Sequence, residues 1–315
     1  MKLHAISDSI PPVLAQALAE FEAPFIYPLG PGKFFRITHG EDYTLFFRAV
    51  GDGTCFIAEH QGRVAGVLGT SVRRLWMPDG AERAVAYIGD LKIAADARGG
   101  TVLLRLARAA EVWLRPRVEA GFGVIMNGTA QTPDAYTGRC GIPVFREVGQ
   151  IIVFRISVSD ACAKYSSGHF QTTQEAGLAC YRSLSLGRYA CPAGQAQKRS
   201  LITPVWLMNP SGSACGMLED TRKAKRLIVG DGSELLSAHL SCFAYRDVAA
   251  GAELIRVALG QVACLGLPAL FVAAAKADAQ ELREALPDME VLAAPATVYG
   301  AGLTTGSWNI NSAEI

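Results

Sequence analysis

The spacing of apolar residues switches repeatedly between two and about 3.6 along the chain, which predicts strands interleaved with helices. The first regular block spans residues 33–157. It predicts the order strand, helix, three strands, helix, strand, helix, strand, with a hairpin turn near Gln61–Gly62. Residues 101–116 place Val102 and Leu106 on one face, as expected of an amphipathic helix on a sheet. The pattern is that of an α/β or α+β protein.

A second block, within residues 201–315, repeats this order of elements with different residues. The intervening residues 161–200 are rich in Ser, Gly, Gln and Ala, which is typical of a crossover between domains. At 315 residues the chain has the length of two domains of ordinary size. We therefore predict an N-terminal extension with a short helix at 1–30, a first domain at 31–160, a linker at 161–200 and a second domain at 201–315.

Composition argues against two classes of partner. The chain has 30 basic and 29 acidic side chains, so its net charge gives no reason to expect nucleic acid or an anionic membrane surface. No stretch approaches the roughly 18 apolar residues of a membrane span, and the N-terminus lacks the apolar core of a signal peptide. We expect a cytoplasmic protein.

Cysteine and histidine do not follow a pattern typical of metal ligands. The eight cysteines lie far apart without a CxxC pair, and the five histidines show no HExxH spacing. We predict no metal site, and we expect the cysteines to be small buried hydrophobes in a reducing compartment. The charged run at residues 219–226 is interpreted as a solvated face, with a contact to an acidic acceptor as the alternative.

The joint between a predicted strand and a predicted helix, Arg98-Gly99-Gly100-Thr101, carries two consecutive glycines. Glycines at such a joint allow the backbone to approach an anion, which the first free N–H groups and the helix dipole attract. A plain tight turn produces the same pattern. The joint by itself therefore leaves both interpretations open.

The surroundings of the joint resemble the GCN5-related N-acetyltransferase family, whose fourth strand and following helix carry LxVxPxxRGxGxG. Leu91 and Ile93 occupy the two apolar strand positions, and Arg98-Gly99 matches the RG pair. Thr101 and Leu103 stand where the family has small residues. These two departures narrow the room for a diphosphate, although the N–H donors remain.

Residues after the helix follow the same family order. Asn127 ends a predicted strand, Tyr136 lies on a short helix, and Gly141-Ile142 precedes the next strand, with Ile in place of the usual Phe. The resemblance implies two acetyltransferase-like domains, each a mixed central sheet flanked by helices. The second domain is expected to be degenerate, because its corresponding joint has Gly251 without an arginine-glycine pair.

The resemblance implies transfer of an acetyl group from acetyl-CoA to a primary amine of a small molecule or peptide. Backbone amides of the strand would bind the acyl carbonyl and pantetheine, and the joint would bind the diphosphate. Tyr136 would protonate the leaving thiolate, with Asp90 as the first and Glu59 as the second candidate for the base. The implied donor-binding residues are Leu91, Lys92, Ile93, Ala94, Arg98, Gly99, Gly100, Thr101, Val102 and Asn127.

The departures from the glycine pattern keep a second hypothesis open. In it the chain is a non-catalytic module that retains the fold for binding a CoA ligand or another protein. Residues 1–30 could cover a domain face or a neighbouring subunit, so a homodimer is a further open alternative.

Overall fold

The computed structural model describes residues 1–30 and 33–315; the domain boundary predicted at residue 31 lies outside the described residues. In chain order the strands are β1 (Lys2–Ile6), β2 (Tyr27–Gly30), β3 (Lys33–Thr38), β4 (Asp52–His60), β5 (Arg63–Trp76), β6 (Glu82–Ile93), β7 (Gly121–Met126), β8 (Arg146–Ser157), β9 (Gln171–Thr172), β10 (Tyr189–Ala190), β11 (Val205–Met208), β12 (Ala214–Glu219), β13 (Arg226–Val229), β14 (Ala238–Tyr245), β15 (Ala269–Ala275), β16 (Val291–Ala301) and β17 (Trp308–Asn309). The helices are α1 (Pro12–Glu22), α2 (Thr44–Val50), α3 (Val102–Leu114), α4 (Pro133–Tyr136), α5 (Gln174–Leu184), α6 (Ala196–Arg199), α7 (Val248–Cys264) and α8 (Lys276–Glu284).

One large sheet of 14 strands organises the molecule, with the order β1-β4-β5-β6-β7-β16-β8-β15-β14-β12-β11-β9 and with β10 and β17 attached at β5. A second sheet contains β13, β3 and β2. The hairpin predicted near Gln61–Gly62 is confirmed between β4 and β5. Both turn residues have positive φ, 51° and 75°, as a type I′ turn requires.

Two long strands each pair with strands of the other predicted domain. β8, the last strand of the predicted first domain, pairs with β15 of the predicted second domain. β16, which comes from the second domain, lies between β7 and β8. We call β1, β4, β5, β6, β7 and β16 the first half of the sheet and the remaining path from β8 to β9 the second half.

The two halves share a local arrangement. In the first half β6 leads through α3 to the parallel strand β7, and in the second half β14 leads through α7 to the parallel strand β15. β6 and β14 each contain one residue with positive φ, Asp90 at 52° and Cys242 at 50°. The mixed sheet with helices on its faces confirms the predicted fold class.

Helices cover both faces of the first half. α1 and α2 bury Leu18 and Phe47 against one face, and α3 buries Leu106 against the other. β1, from the predicted extension, is the edge strand beside β4. Residues 161–200, the predicted linker, contain α5, α6, β9 and β10. No helix within residues 1–30 and 33–315 is long and apolar enough to cross a bilayer.

Cysteine burial follows the prediction in part. Five of the eight cysteines are buried, as small apolar side chains often are. Cys140 and Cys264 are exposed and Cys180 is half-buried. The expectation that all eight are buried was therefore wrong for these three.

Candidate active site

A bulge in β6 forms the centre of the candidate site. Three steps along β6, from Gly89 to Lys92, are matched by only two steps along β5. Asp90 and Leu91 therefore oppose a single residue, and Asp90 adopts the left-handed conformation. Such a bulge interrupts the ladder and leaves backbone groups without a partner strand.

β6 and β7 part beside this bulge. Their parallel pairing is limited to residues 86–87 with 121–122. Beyond that point β6 continues along β5, and β7 continues along β16. We call the gap between residues 88–93 of β6 and residues 123–126 of β7 the fork.

Aromatic side chains fill the core at the base of the fork. The rings of Tyr87 and Phe122 lie 5.7 Å apart, and those of Phe122 and Trp308 lie 5.1 Å apart. All three residues are buried, and Tyr189 stacks on Trp308 at 4.5 Å. The base of the fork is thus closely packed.

The predicted joint leads from β6 into α3. Gly99 has φ +77°, and a Cβ built there meets no atom within 4 Å. Arg98, Gly99 and Gly100 are exposed. Thr101 is the N-cap residue of α3 but makes no side-chain capping hydrogen bond. The first N–H groups of α3, which have no acceptor within the helix, are therefore open to an anion.

The equivalent positions in the second half are already occupied by protein groups. Asp247 caps α7, where its carboxylate accepts a hydrogen bond of 2.9 Å from the Ala250 N–H. The Cys242 N–H, at the bulge of β14, donates to Asn311 Oδ1 at 2.8 Å. A carboxylate at this helix N-terminus already uses the positive end of the dipole and repels another anion.

Asp90 belongs to a group of buried polar side chains on the face covered by α1 and α2. Its Oδ2 lies 3.0 Å from His39 Nε2, and its Oδ1 lies 3.3 Å from Lys92 Nζ. Glu22 Oε1 lies 2.8 Å from both His39 Nδ1 and Lys92 Nζ. Tyr43 donates a hydrogen bond of 3.2 Å to Asp90 Oδ2. These five residues are called the Asp90 cluster.

Opposite charges in the Asp90 cluster stabilise one another. Burial alone raises the pKa of Glu22 and of Asp90, but the neighbouring His39 and Lys92 outweigh it and lower both values. Burial alone lowers the pKa of His39 and of Lys92, but the two carboxylates outweigh it and raise both values. The arrangement thus favours two anions and two cations.

The cluster also has a spacing that a metal ion could bridge, since donor atoms of Glu22, His39 and Asp90 lie within 4.8 Å of one another. The Lys92 ammonium, 2.8 Å from Glu22 and 3.3 Å from Asp90, already balances these carboxylates. With His39 also charged, a metal ion would be a third cation against two carboxylates and would be repelled at short range in a buried site. We therefore assign no metal to these residues.

Tyr136 ends α4 on the other side of β7. Burial, together with Tyr299 and Asp134, raises the pKa of Tyr136 to about 12, so its hydroxyl keeps its proton at neutral pH. A cleft of about 360 Å³ lies next to it, lined by Asp134, Thr137, Val144, Phe145, Arg146, Glu147 and Tyr299. The protonated hydroxyl is suited to donate a proton or a hydrogen bond.

Asn127 follows β7 and is held by β16. Its N–H donates to Pro295 O at 2.9 Å, and its Oδ1 accepts a hydrogen bond of 3.0 Å from Thr297 Oγ1. The side chain of Asn127, a residue expected to bind the donor, is thus engaged with Thr297.

Two further predicted positions are engaged with the protein. Glu59 lies on β4, which β5 separates from β6, and forms a 2.8 Å contact with His4. The Ala94 N–H donates to Ala65 O at 3.0 Å, so this amide is not free for a ligand. The structure therefore places Asp90 and Leu91 on β6 and the joint in the segment that follows it, and leaves Glu59 two strands away.

Sequence reasoning missed Glu22, His39 and Tyr43, which are far apart in the chain. One signal existed for Glu22. It follows Leu14 and Leu18 at intervals of four on α1, so it continues the buried stripe of the helix and not the solvent face. A carboxylate on such a stripe requires a buried cation as partner.

Comparison with solved structures identifies the architecture. A structure of N-myristoyltransferase from Saccharomyces cerevisiae with bound myristoyl-CoA is 8% identical, with a TM-score of 0.63 over 99% of this chain and 87% of that chain. A GCN5-related N-acetyltransferase from Anabaena variabilis is 12% identical, with a TM-score of 0.55 over 95% of this chain and 72% of that chain. The chain has a GNAT-type fold.

The GNAT-type fold explains the place of the fork relative to α3, but at these identities the likeness concerns the fold alone. A second structure of the yeast N-myristoyltransferase is 10% identical, with a TM-score of 0.62 over 99% of this chain and 83% of that chain. No family model matches the sequence, and no curated protein is significantly similar to it.

Proposed function

We propose that the protein is an acyl-CoA-dependent N-acyltransferase that moves an acetyl group from acetyl-CoA to a primary amine. The observation that carries this proposal is the bulge at Asp90–Leu91, which lies at the parting of β6 and β7 and is followed ten residues later by the open N-terminus of α3. The likeness to an N-myristoyltransferase and an N-acetyltransferase supports the same class of reaction.

In this proposal the donor lies in the fork. The backbone at Leu91 would hold the acyl carbonyl, where unpaired N–H groups stabilise the developing oxyanion. The N–H groups from Arg98 to Val102 would hold the diphosphate at the positive end of α3. Because the corresponding groups of the second half are bonded to Asp247 and Asn311, we place a single donor site in the first half.

A short acyl group suits the packing of the fork. Tyr87, Phe122 and Trp308 occupy the core at its base, where a long acyl chain would have to displace them. Displacing packed rings is unfavourable. We therefore favour acetyl over myristoyl as the group transferred.

Asp90 and Tyr136 have different roles in the proposed reaction. Asp90 has a lowered pKa, so it is a weak proton acceptor and stays ionised. With 15% of its side chain exposed, it would accept a hydrogen bond from the acceptor as a neutral amine, after the proton of the ammonium form has left to water. Tyr136 would give its proton to the departing thiolate.

A transfer assay tests this proposal. The full chain is incubated with acetyl-CoA and a set of amines: a polyamine, an amino sugar, an amino acid and a peptide with a free N-terminus. We expect amine-dependent release of CoA and an acetylated product detected by mass spectrometry. Myristoyl-CoA in place of acetyl-CoA should give less product, and more product from myristoyl-CoA would contradict the acetyl assignment.

Substitutions in the joint test where the donor binds. Replacing Gly99 and Gly100 together by leucine should abolish CoA release, because side chains then cover the N–H groups of α3. The control is Gly232→Leu, which imposes similar strain at φ +87° where a Cβ also meets no atom within 4 Å. Equal activity in the joint variant and the control would contradict a diphosphate site at the joint.

The alternative function is a binding module without catalysis. Thr101 and Leu103, which stand where the family has small residues, favour it because they narrow the space at the joint. Acetyl-CoA that binds at the joint without any CoA release across the amine set would support this alternative.

A further inference from the structure

His39 connects the two carboxylates of the Asp90 cluster. Its Nδ1 lies 2.8 Å from Glu22 Oε1, and its Nε2 lies 3.0 Å from Asp90 Oδ2, off the direction of the N–H. The backbone N–H of His39 also donates to Glu22 Oε2 at 3.3 Å. The imidazole is therefore fixed from α1 on one side and contacts β6 on the other.

His39 has no access to a substrate. Only 1% of its side chain is exposed, and the Tyr43 ring covers it with a centroid separation of 4.2 Å. Phe46 and Phe47 pack on its remaining sides. His39 therefore acts on the reaction only through its neighbours, of which Asp90 is the one at the bulge.

Asp90 occupies a backbone conformation that requires support. Its φ of +52° is uncommon for a residue with a Cβ, although Asp adopts it more readily than most. Its carboxylate contacts His39 and Tyr43, from the loop between β3 and α2, and Lys92, from β6 itself. These contacts fix the carboxylate and, through it, the bulge that precedes the Leu91 amide.

We propose that His39 is a positioning residue for the proposed acyl transfer. As an imidazolium held by Glu22, it keeps Asp90 in the left-handed conformation and so keeps the Leu91 amide directed at the acyl carbonyl. This inference rests on the proposed function, but the geometry of the bulge is testable without any acceptor.

The charges around His39 make its contact with Asp90 depend on pH. Burial favours neutral His39, but Glu22 and Asp90 outweigh burial and raise its pKa above the ordinary 6.5. The imidazolium is therefore present at low pH and is lost as pH rises through this raised value. Six other titratable groups face this contact. They are Glu22 on α1, Tyr27 on β2, Tyr43 just before α2, Cys55 on β4, Lys92 on β6 and Lys225 just before β13.

The first test measures kcat and KM for acetyl-CoA across neutral and alkaline pH. For His39→Ala we expect kcat to fall by ~100-fold, as for loss of one oxyanion donor, with little change in KM. His39→Gln keeps an N–H near Asp90 without titrating. It should retain more turnover than His39→Ala and lack the alkaline fall of the native protein, and it carries the test if His39→Ala does not fold.

The control is His239→Gln. His239 is equally buried, lies 3.1 Å from Ser312 Oγ and stacks on Phe271, so its loss removes a buried imidazole elsewhere. Its kcat and pH profile should match the native protein. An alkaline fall that persists in His39→Gln would come from Lys225, whose pKa burial lowers to about 8, and would overturn the proposal.

A second test needs no acceptor. NMR of the His39 imidazole should show titration above pH 6.5, and amide exchange at Ala94, whose N–H bonds to Ala65 O beside the bulge, should accelerate ~10-fold or more in His39→Ala. Titration below pH 6.5 with unchanged exchange at Ala94 would overturn the role of His39. If both measurements give the expected results but the protein transfers no acetyl group, they support the contact between His39 and Asp90 and contradict the proposed function.

Discussion

Two cations and one hydroxyl donor surround the carboxylate of Asp90, and this decides what the residue can do. His39, Lys92 and Tyr43 all favour its ionised form. A carboxylate held in this way accepts a proton poorly. Asp90 is therefore better suited to hold the acceptor in place than to serve as the base that the sequence first indicated.

Tyr136 offers a separate test at the scale of one residue. Tyr136→Phe removes the hydroxyl that would protonate the thiolate, so we expect kcat to fall by ~100-fold with acetyl-CoA affinity unchanged. Stopped-flow release of CoA and calorimetry measure the two quantities. Tyr245→Phe, a half-buried tyrosine of the second half, is the control. Unchanged turnover in Tyr136→Phe would remove it from the acid role.

Residues of the site differ in how far the sequence could predict them. Asp90 and Leu91 lie on β6 and the joint follows within ten residues, so one local motif indicated them together. His39 and Glu22 come from other segments, and their relation to Asp90 depends on how α1 packs on the sheet. No spacing in the sequence encodes that packing.

At the scale of the element, α2 and β5 meet at a glycine. A Cβ built at Gly69 would lie 1.9 Å from the Phe47 ring, which is fully buried. Gly69→Ala should therefore lower the free energy of unfolding by about 1–3 kcal/mol in urea denaturation. Gly168→Ala, where a Cβ meets no atom within 4 Å, should change it by less than about 0.5 kcal/mol. Equal stability of both variants would contradict this packing.

A substitution in the joint is expected to strengthen the binding of acetyl-CoA. Thr101 is exposed and makes no capping hydrogen bond, so Thr101→Gly removes a side chain from the joint at little cost to α3. We expect acetyl-CoA to bind more tightly, by a few-fold, as measured by calorimetry. Weaker binding would show that the Thr101 side chain contributes to the site.

The elements themselves were predictable because alternation and helical periodicity are local. The strand from 82 to 93, helix α3 and the turn at Gln61–Gly62 all lie where the pattern indicates. The pairing of β8 and β16 with strands of the other predicted domain was not predictable. Both strands are long and apolar, and their sequences fit either half of the sheet equally well.

At the scale of the whole molecule, a buried ion network connects distant segments. Glu314 contacts Arg73 at 2.6 Å and Arg199 at 2.9 Å, and Arg199 forms two contacts of 2.7 Å with Glu219. The sequence indicated a solvated face at residues 219–226, and this interpretation was wrong for Glu219, Asp220 and Lys225, which are buried, although Lys223 and Arg226 are exposed. Local charge density did not reveal partners that lie far along the chain.

Glu314→Gln tests this network. Two guanidinium groups would lose a buried counter-charge, so we expect a loss of about 3–5 kcal/mol in the free energy of unfolding. Glu111→Gln, which breaks the exposed pair with Arg115, should cost less than about 0.5 kcal/mol. Urea denaturation of both variants makes the comparison, and similar losses would contradict the network.

The same network predicts a pH dependence. Burial alone raises the pKa of Glu314, but Arg73 and Arg199 outweigh it and lower the value below the ordinary 4.5. Its contribution is therefore complete above pH 4.5 and is lost as pH falls through the lowered value. The stability difference between the native protein and Glu314→Gln should shrink in acid, and a constant difference would contradict this assignment.

Calorimetric titration of the full chain with acetyl-CoA gives the sharpest test of the claim that the fork binds an acyl-CoA donor, because it requires no knowledge of the acceptor. A donor site in the fork predicts saturable binding to one site per chain, which the leucine variant of Gly99 and Gly100 abolishes and Gly232→Leu retains. No heat and no thermal shift at saturating acetyl-CoA would contradict the claim.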